Sequence, residues 1–459
     1  MLLSVPATAA TAAPTKADHS AEVARLARAL VGPVSAVRGL RPKRKIATGV
    51  YDPAELLRFV TRAIDRDLGR GTLDLRSRAL RVFGMLPTDY GLRDGLLAML
   101  QEQVAGLYDP KTRELHLVRR STAKTRAPLL RILDKLNPLH VDLAAQTRMV
   151  IAHELVHALQ DQHFHLARMM RDLPGETDLN TALQALVEGD ATIAMLAHAM
   201  QERGQWEPQG FFAMGEVFGE MMDFVLGFAR MGLLPDSAEL ARAPRWLQES
   251  LIFPYIAGAT FCLAAGERTG SFAGVDAVFA DPPLSTEQIL HPQKRLGAAP
   301  DFPVHLTLPA LRRVLGKGWR SRFNDNLGEL YVRVLLHDRL GAEAAARAAG
   351  GWGGDRYALY SAAGMPDVIV WLTTWDSDQD AGEFAAAGAI WLAARGSVAD
   401  AGRQTAGVWQ VDHADGTVDR MIHRGRDVAL GLQLPASKAV AVVERLVSKT
   451  RRKLRRKLP

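Results

Sequence analysis

Cysteine is almost absent from the sequence: Cys262 is the only one among 459 residues. No internal disulfide and no cysteine-based zinc cluster can be built, so any metal site must draw on histidines and carboxylates. Long apolar runs are missing too. A membrane span needs about 18 or more apolar residues in a row. Phe211–Leu234 is interrupted by Glu216, Glu220, Asp223 and Arg230, and Leu251–Ala265 is short and contains Pro254. Both read as buried helices, and no transmembrane span is expected. An excess of one charge is scarce outside the C-terminus. The chain has 57 Lys and Arg against 50 Asp and Glu, and much of the resulting +7 lies in Lys449–Leu458. With a nearly neutral body, no specific nucleic-acid partner is expected. The basic tail reads as a solvated helix end, with contact to anionic surfaces as the alternative.

What is present is the composition of a folded protein, 48% hydrophobic and 23% charged, which excludes disordered and fibrous classes. The length suggests two or three units. Residues 1–20 read as a disordered or signal-like leader. They end in small residues but lack a cationic start and a strong apolar stretch, which leaves export to the periplasm or medium open beside a cytoplasmic location. Residues 21–350 read as a mainly helical domain. Helices are expected at 21–30, 53–67, 92–103, 141–166, 180–202 and 211–231, and a β-hairpin at 104–118 turning on Asp109-Pro-Lys-Thr112. Residues 351–450 read as a small α+β module and 451–459 as the basic tail. In that module strands are expected at 368–374, 407–411 and 418–423, the last two joined at Asp415-Gly416, with helices at 382–395 and 437–449. The glycine-rich 349–354 run lacks the Lys-Ser/Thr ending of a phosphate loop and reads as a tight turn on which Trp352 packs. The fold class is α+β, predominantly α.

The chemistry concentrates in His153-Glu-Leu-Val-His157, inside a run whose apolar positions fit a buried helix. Two histidines four apart on a helix share a face, separated by about 40°, so both imidazoles can hold one Zn²⁺. Glu154 falls beside them and can address an activated water, an arrangement suited to hydrolysis. A catalytic zinc needs a third protein ligand. Glu188 interrupts the apolar run Ala185–Ala191 on the next long helix, where a buried carboxylate needs a cation. Glu176 follows Pro174-Gly175 and suits a helix cap. His163 lies six residues after His157, but Gln160 occupies the position where a glycine would turn the chain, so the helix is expected to continue and aim His163 elsewhere.

The His-Glu-x-x-His pair followed by Glu188-Gly-Asp-Ala191 resembles the gluzincin group of zinc metallopeptidases. The wider context resembles an uncharacterised set of predicted bacterial metallopeptidases over roughly residues 90 to 385. It includes Ala105–Pro110, His157–Phe164, Ser285–Pro292 and Gly351–Arg356. The resemblance implies a zincin-like core, one zinc ion on His153, His157 and Glu188, Glu154 as general base, and peptide or protein substrates. Thr192 stands where thermolysin-like enzymes carry an Asp, so Asp190 or Asp161 is the candidate to orient a ligand imidazole. In zincin-like folds an edge strand aligns substrate, which points to Gly106 and Tyr108. Tyr255 and His291 are the candidate oxyanion donors. A zinc-containing binding or scaffold protein without turnover is the alternative. A helical interaction protein with an accidental motif would leave Glu188 far from both imidazoles.

Overall fold

The computed structural model describes residues 15–67, 69–119, 143–171, 173–215, 217–222, 238–396, 403–405 and 407–459. Among the described residues 57% are helical and 18% lie in strands, so the fold is α+β and predominantly α. Of the leader, residues 1–14 lie outside the described residues. The first helix, α1 (Lys16–Arg38), overruns the expected 21–30 at both ends. Thr15 and Asp18 form a reciprocal capping box at its start, and Gly39 ends it in the left-handed conformation at φ 81°. Val23, Ala27, Leu30 and Val34 recur at helical spacing and are buried, each large one contributing about 1.5–3 kcal/mol. That stripe draws the end of α1, and with it Arg38, into the core.

Beyond α1 lie β1 (Ala47–Tyr51), the helices α2 (Pro53–Asp67), α3 (Arg70–Phe83) and α4 (Leu92–Gln103), and the expected hairpin of β2 (Gly106–Asp109) and β3 (Glu114–Val118). Asp109 accepts the Lys111 amide at 2.9 Å and so closes the turn. The hairpin gains a third strand, because β1 pairs in parallel with β3 and leaves β2 at the edge in the order β1-β3-β2.

The helical centre consists of α5 (Leu143–Phe164), α6 (Thr177–Glu202) and α7 (Arg245–Glu267). Of the expected 211–231 helix the structure shows Pro208–Phe212 and a helical stretch at 217–222, and positions 223–231 lie outside the described residues. Among the described residues α7 alone is long and apolar enough to cross a membrane. Just over half of that apolar window (56%) is buried within the protein, the setting of a core helix. It crosses α6 at two facing glycines. A Cβ on Gly189 would come 2.1 Å from the Gly258 carbonyl carbon, and one on Gly258 would come 2.0 Å from the Ala185 carbonyl oxygen. Only residues without a side chain allow this approach.

A seven-stranded antiparallel sheet forms the C-terminal part, in the order β5-β6-β7-β11-β10-β9-β8. Its strands are β5 (Arg320–Asp325), β6 (Trp352–Ser361), β7 (Val368–Trp375), β8 (Arg403–Thr405), β9 (Val408–Asp412), β10 (Thr417–Arg424) and β11 (Asp427–Pro435). The hairpin turn at Asp415-Gly416 is present, with Gly416 at φ 80°. In β7, Val368, Val370 and Leu372 enter one core while Ile369 and Trp371 enter the other, so both faces are covered. Glycine-rich 349–354 is only in part a turn. Strand β6 begins at Trp352, which is buried as expected, and Asp355 explains why. Its carboxylate accepts the indole N–H groups of Trp352 (3.2 Å) and Trp371 (2.9 Å) and the amides of Leu327 and Gly328, so the strand carries a fully satisfied buried hub. The basic tail is no helix end. Strand β12 (Arg451–Leu454) pairs antiparallel with β4 (Val304–Thr307).

The junction between α6 and the sheet holds another buried carboxyl, Asp178, which accepts the Thr286 amide at 2.9 Å. Burial pushes it up from an ordinary value of 3.8 to about 7, against the pull of the Thr286 hydrogen bonds. The folded state therefore holds this proton more tightly than the unfolded chain. Its stabilising contribution is full below about pH 4 and is lost as pH rises through 7. Asp178→Asn keeps an acceptor for Thr286 and removes the titration. It is expected to flatten the fall in stability between pH 4 and 8, a span worth up to about 4 kcal/mol for this group. Urea unfolding at several pH values measures the slope, and a variant slope equal to the parent's would contradict the assignment.

Candidate metal centre

Helix α5 buries Ile151, Ala152, Leu155, Val156 and Leu159 completely. That apolar belt fixes its rotation and turns His153 and His157 together towards α6, where Glu188 meets them. Glu188 Oε2 lies 3.2 Å from His153 Nε2 and 3.3 Å from His157 Nε2, and the two Nε2 atoms are 3.1 Å apart. One ligand atom from each of the three residues falls within 4.8 Å of the others. The accidental-motif reading expected Glu188 to lie far from both imidazoles, and the structure brings it to them instead. Burial disfavours charge on His157, but the Glu188 carboxylate outweighs it and raises the imidazole to about 9. Burial likewise opposes charge on Glu188, yet the two imidazoles hold its carboxyl well below the usual range. The centre is built to favour positive charge between these groups, and two imidazoles with one carboxylate suit zinc better than a hard cation such as Mg²⁺.

Glu154 is buried beside the pair, with 6% of its surface exposed. Burial raises its carboxyl, and the His157 and His153 charges pull the other way. Its carboxylate also accepts a hydrogen bond from the backbone of Tyr108. Strand β2 thus runs against α5, and Gly106 has a steric reason to be glycine. A Cβ there would sit 2.8 Å from Val150 Cγ1 and 3.0 Å from Glu154 Cγ.

Of the two oxyanion candidates, the structure brings one to the centre. Tyr255 lies on α7 one turn before Gly258, so the close crossing of α6 and α7 delivers it to Glu188. Its phenol hydrogen-bonds to that carboxylate, whose charge together with burial keeps the phenol protonated far above pH 10. The Tyr255 and His153 rings lie 6.1 Å apart, centroid to centroid. His291 is engaged elsewhere. Its Nε2 lies 2.9 Å from the buried Glu329 carboxylate and 3.1 Å from Arg333, which corrects the expectation that it faces the metal ligands.

The two candidates for orienting an imidazole also part company. Asp161 accepts the Tyr108 hydroxyl at 3.0 Å and pairs with Arg44 at 3.2 Å, so it braces the edge strand rather than a ligand histidine. Asp190 acts through Gln160. His157 Nδ1–H donates to Gln160 Oε1 at 2.8 Å, leaving the Nε2 lone pair for a metal, while Gln160 Nε2–H donates to Asp190 at 2.7 Å and to the Val187 carbonyl at 3.0 Å. Asp190 in turn pairs with the fully buried Arg38 at 2.7 Å, and Arg38 reaches Asp276 at 2.8 Å. Gln160 and Arg38 escape sequence reasoning. The available signal was Gln160 itself, a polar residue three positions after His157 on the same helical face.

The remaining ligand candidates fall away. His163 donates to the Arg41 carbonyl at 2.8 Å, and α5 does continue past Gln160. Glu176 stands at the N-cap position of α6 without capping it. Its carboxylate pairs with Arg356 (2.9 Å) and Arg455 (2.8 Å) instead. A second carboxylate group, Glu287, Asp301 and Asp376, has ligand-like spacing but encloses the Lys294 ammonium, 2.5, 3.0 and 2.6 Å from the three oxygens.

A family model described as a domain of unknown function, DUF8575, matches residues 313–444, which take in the sheet from β5 to β11 and leave the metal centre outside. No curated protein matches the sequence. A crystal structure from Chloroflexus aurantiacus, described as a candidate hydrolase with a novel fold, is similar at 18% identity and a TM-score of 0.36. The match covers 61% of this chain and 90% of that one. The chemistry of the centre rests on its own geometry.

Proposed function

We propose that the protein is a zinc-dependent hydrolase of peptide bonds acting on a peptide or protein. The observation that carries this reading is the meeting of His153, His157 and Glu188 within 4.8 Å, with Glu154 one residue from the first histidine. These three would hold one zinc ion. When bound, zinc supplies a Lewis acid that lowers the pKa of water and polarises a carbonyl. Glu154 takes the proton of the attacking water and returns it to the leaving amine. Tyr255, held protonated, donates to the oxygen that gains charge. Gln160 fixes the His157 tautomer, and the outer edge of β2 offers main-chain groups to an extended substrate. Because the Tyr108 backbone also bonds Glu154, the strand that would align the substrate also steadies the base.

The test is metal content. Purified protein is expected to carry one zinc per chain, and Glu188→Ala to bind it at least about 100-fold more weakly, since losing a ligand exceeds the usual cost of losing an outer partner. Competition with a fluorescent zinc chelator measures both. Stoichiometric zinc that is indifferent to the substitution would reject this ligand set.

A further inference from the structure

The net charge of +7 is concentrated rather than spread. Residues 303–324 hold five cations and no acidic residue, and residues 445–459 hold eight cations and again no acidic residue. Pairing of β12 with β4 brings these two segments side by side, with Arg451 opposite Thr307 and Lys453 opposite His305. Beside this ribbon lies a groove of about 600 Å³ whose lining includes His305, Thr307, Arg312, Arg320, Arg322 and Asn324. Arg312, Arg320 and Arg322 are exposed and form no ion pair among the described residues. A register shift between Ser321 and Phe323 sets Arg322 out of the regular ladder, as bulges do when they re-aim a side chain. Strand β5 also ends the sheet, so its outer edge is unpaired within that sheet.

We propose that this groove binds an acidic segment of a polypeptide, with Asp or Glu carboxylates received by Arg312, Arg320 and Arg322. Arginine presents a planar fork that matches a carboxylate with two hydrogen bonds, and the edge of β5 offers main-chain groups to an extended chain. Charges on an edge strand also deter sheet-to-sheet association. That role accounts for Arg320 and Arg322 but not for Arg312 or for the second acid-free segment. Single-stranded nucleic acid fits less well, because the lining rings Trp319 and Tyr360 are only 6% and 5% exposed and offer no stacking platform. A bilayer does not enter a concave groove.

The test uses the full chain in a Glu154→Gln background, so that a peptide cannot be consumed, and the probe is a short fluorescein-labelled peptide of alternating Glu and Val. Anisotropy at about 0.15 M salt is expected to show saturable binding, weakened at least about 10-fold by Arg320→Glu with Arg322→Glu and about 3-fold by Arg312→Ala. Arg28→Glu, on the exposed side of α1, should change it less than about 2-fold. Should the double reversal lower the melting temperature, Arg320→Gln with Arg322→Gln provides the same comparison without new negative charge. Absence of saturable binding would overturn the proposal, as would equal weakening by Arg28→Glu. So would duplex DNA or phosphatidylserine vesicles binding more tightly than the peptide through the same arginines.

Discussion

Glu154→Gln is expected to retain zinc at the parent's affinity while hydrolysis falls by about 10²–10⁴-fold, the usual contribution of a positioned general base. The substitution is nearly isosteric and leaves His153, His157 and Glu188 untouched. It also keeps an acceptor for the Tyr108 backbone, which bonds the carboxylate in the parent. What it removes is the site that accepts a proton. A quenched fluorescent peptide library, with zinc measured in the same samples, separates the two effects. Turnover undiminished in the variant would remove Glu154 from its role, and loss of zinc together with activity would show that the side chain serves the ligands instead.

Arg38→Met carries the second large effect. The guanidinium is fully buried, 2.7 Å from an Asp190 carboxylate that is itself without exposure. Its charge is disfavoured by burial but upheld by Asp190 and Asp276. Removing one partner of a buried pair leaves the other uncompensated, at a cost of about 3–5 kcal/mol. Asp190 also anchors Gln160, so zinc affinity is expected to fall about 10- to 100-fold through a loosened His157. Adding Asp190→Asn should restore much of the stability, because the amide oxygen still accepts from Gln160 and the one carboxylate left without Arg38, Asp276, is partly open to solvent. Urea unfolding of the single and double variants tests this. A loss under about 1 kcal/mol in the single variant would mean that Asp190 finds another partner.

The proposed ligand set could be read along the chain because each part is local. His153 and His157 share a helical face over a single turn, and Glu188 betrays itself as a charge within an apolar run. The β2–β3 hairpin was likewise legible from alternation and a turn. Pairings that join distant segments were not. Parallel β1–β3, β12 on β4, and β5 at the head of the sheet depend on contacts between residues far apart, and no window contains them. Strand β6 was masked by its glycines, which normally weaken a strand, because the reason for its conformation, Asp355 beneath two tryptophans, is tertiary. His291 misled for a related reason. A histidine before a proline gives no hint that Glu329, 38 residues later, will claim it. Arg38 hid behind the ordinary rule that arginine lies at the surface.

The cage around Lys294 has a bearing on how the molecule responds to metal supply. There the neutralising cation is a side chain, fixed by a covalent tether among Glu287, Asp301 and Asp376. A chelator strips only what can diffuse away. Dialysis against EDTA would remove the proposed zinc from the histidine centre while that corner kept its own cation, so scarcity of transition metals would silence the proposed chemistry without unfastening this part of the architecture.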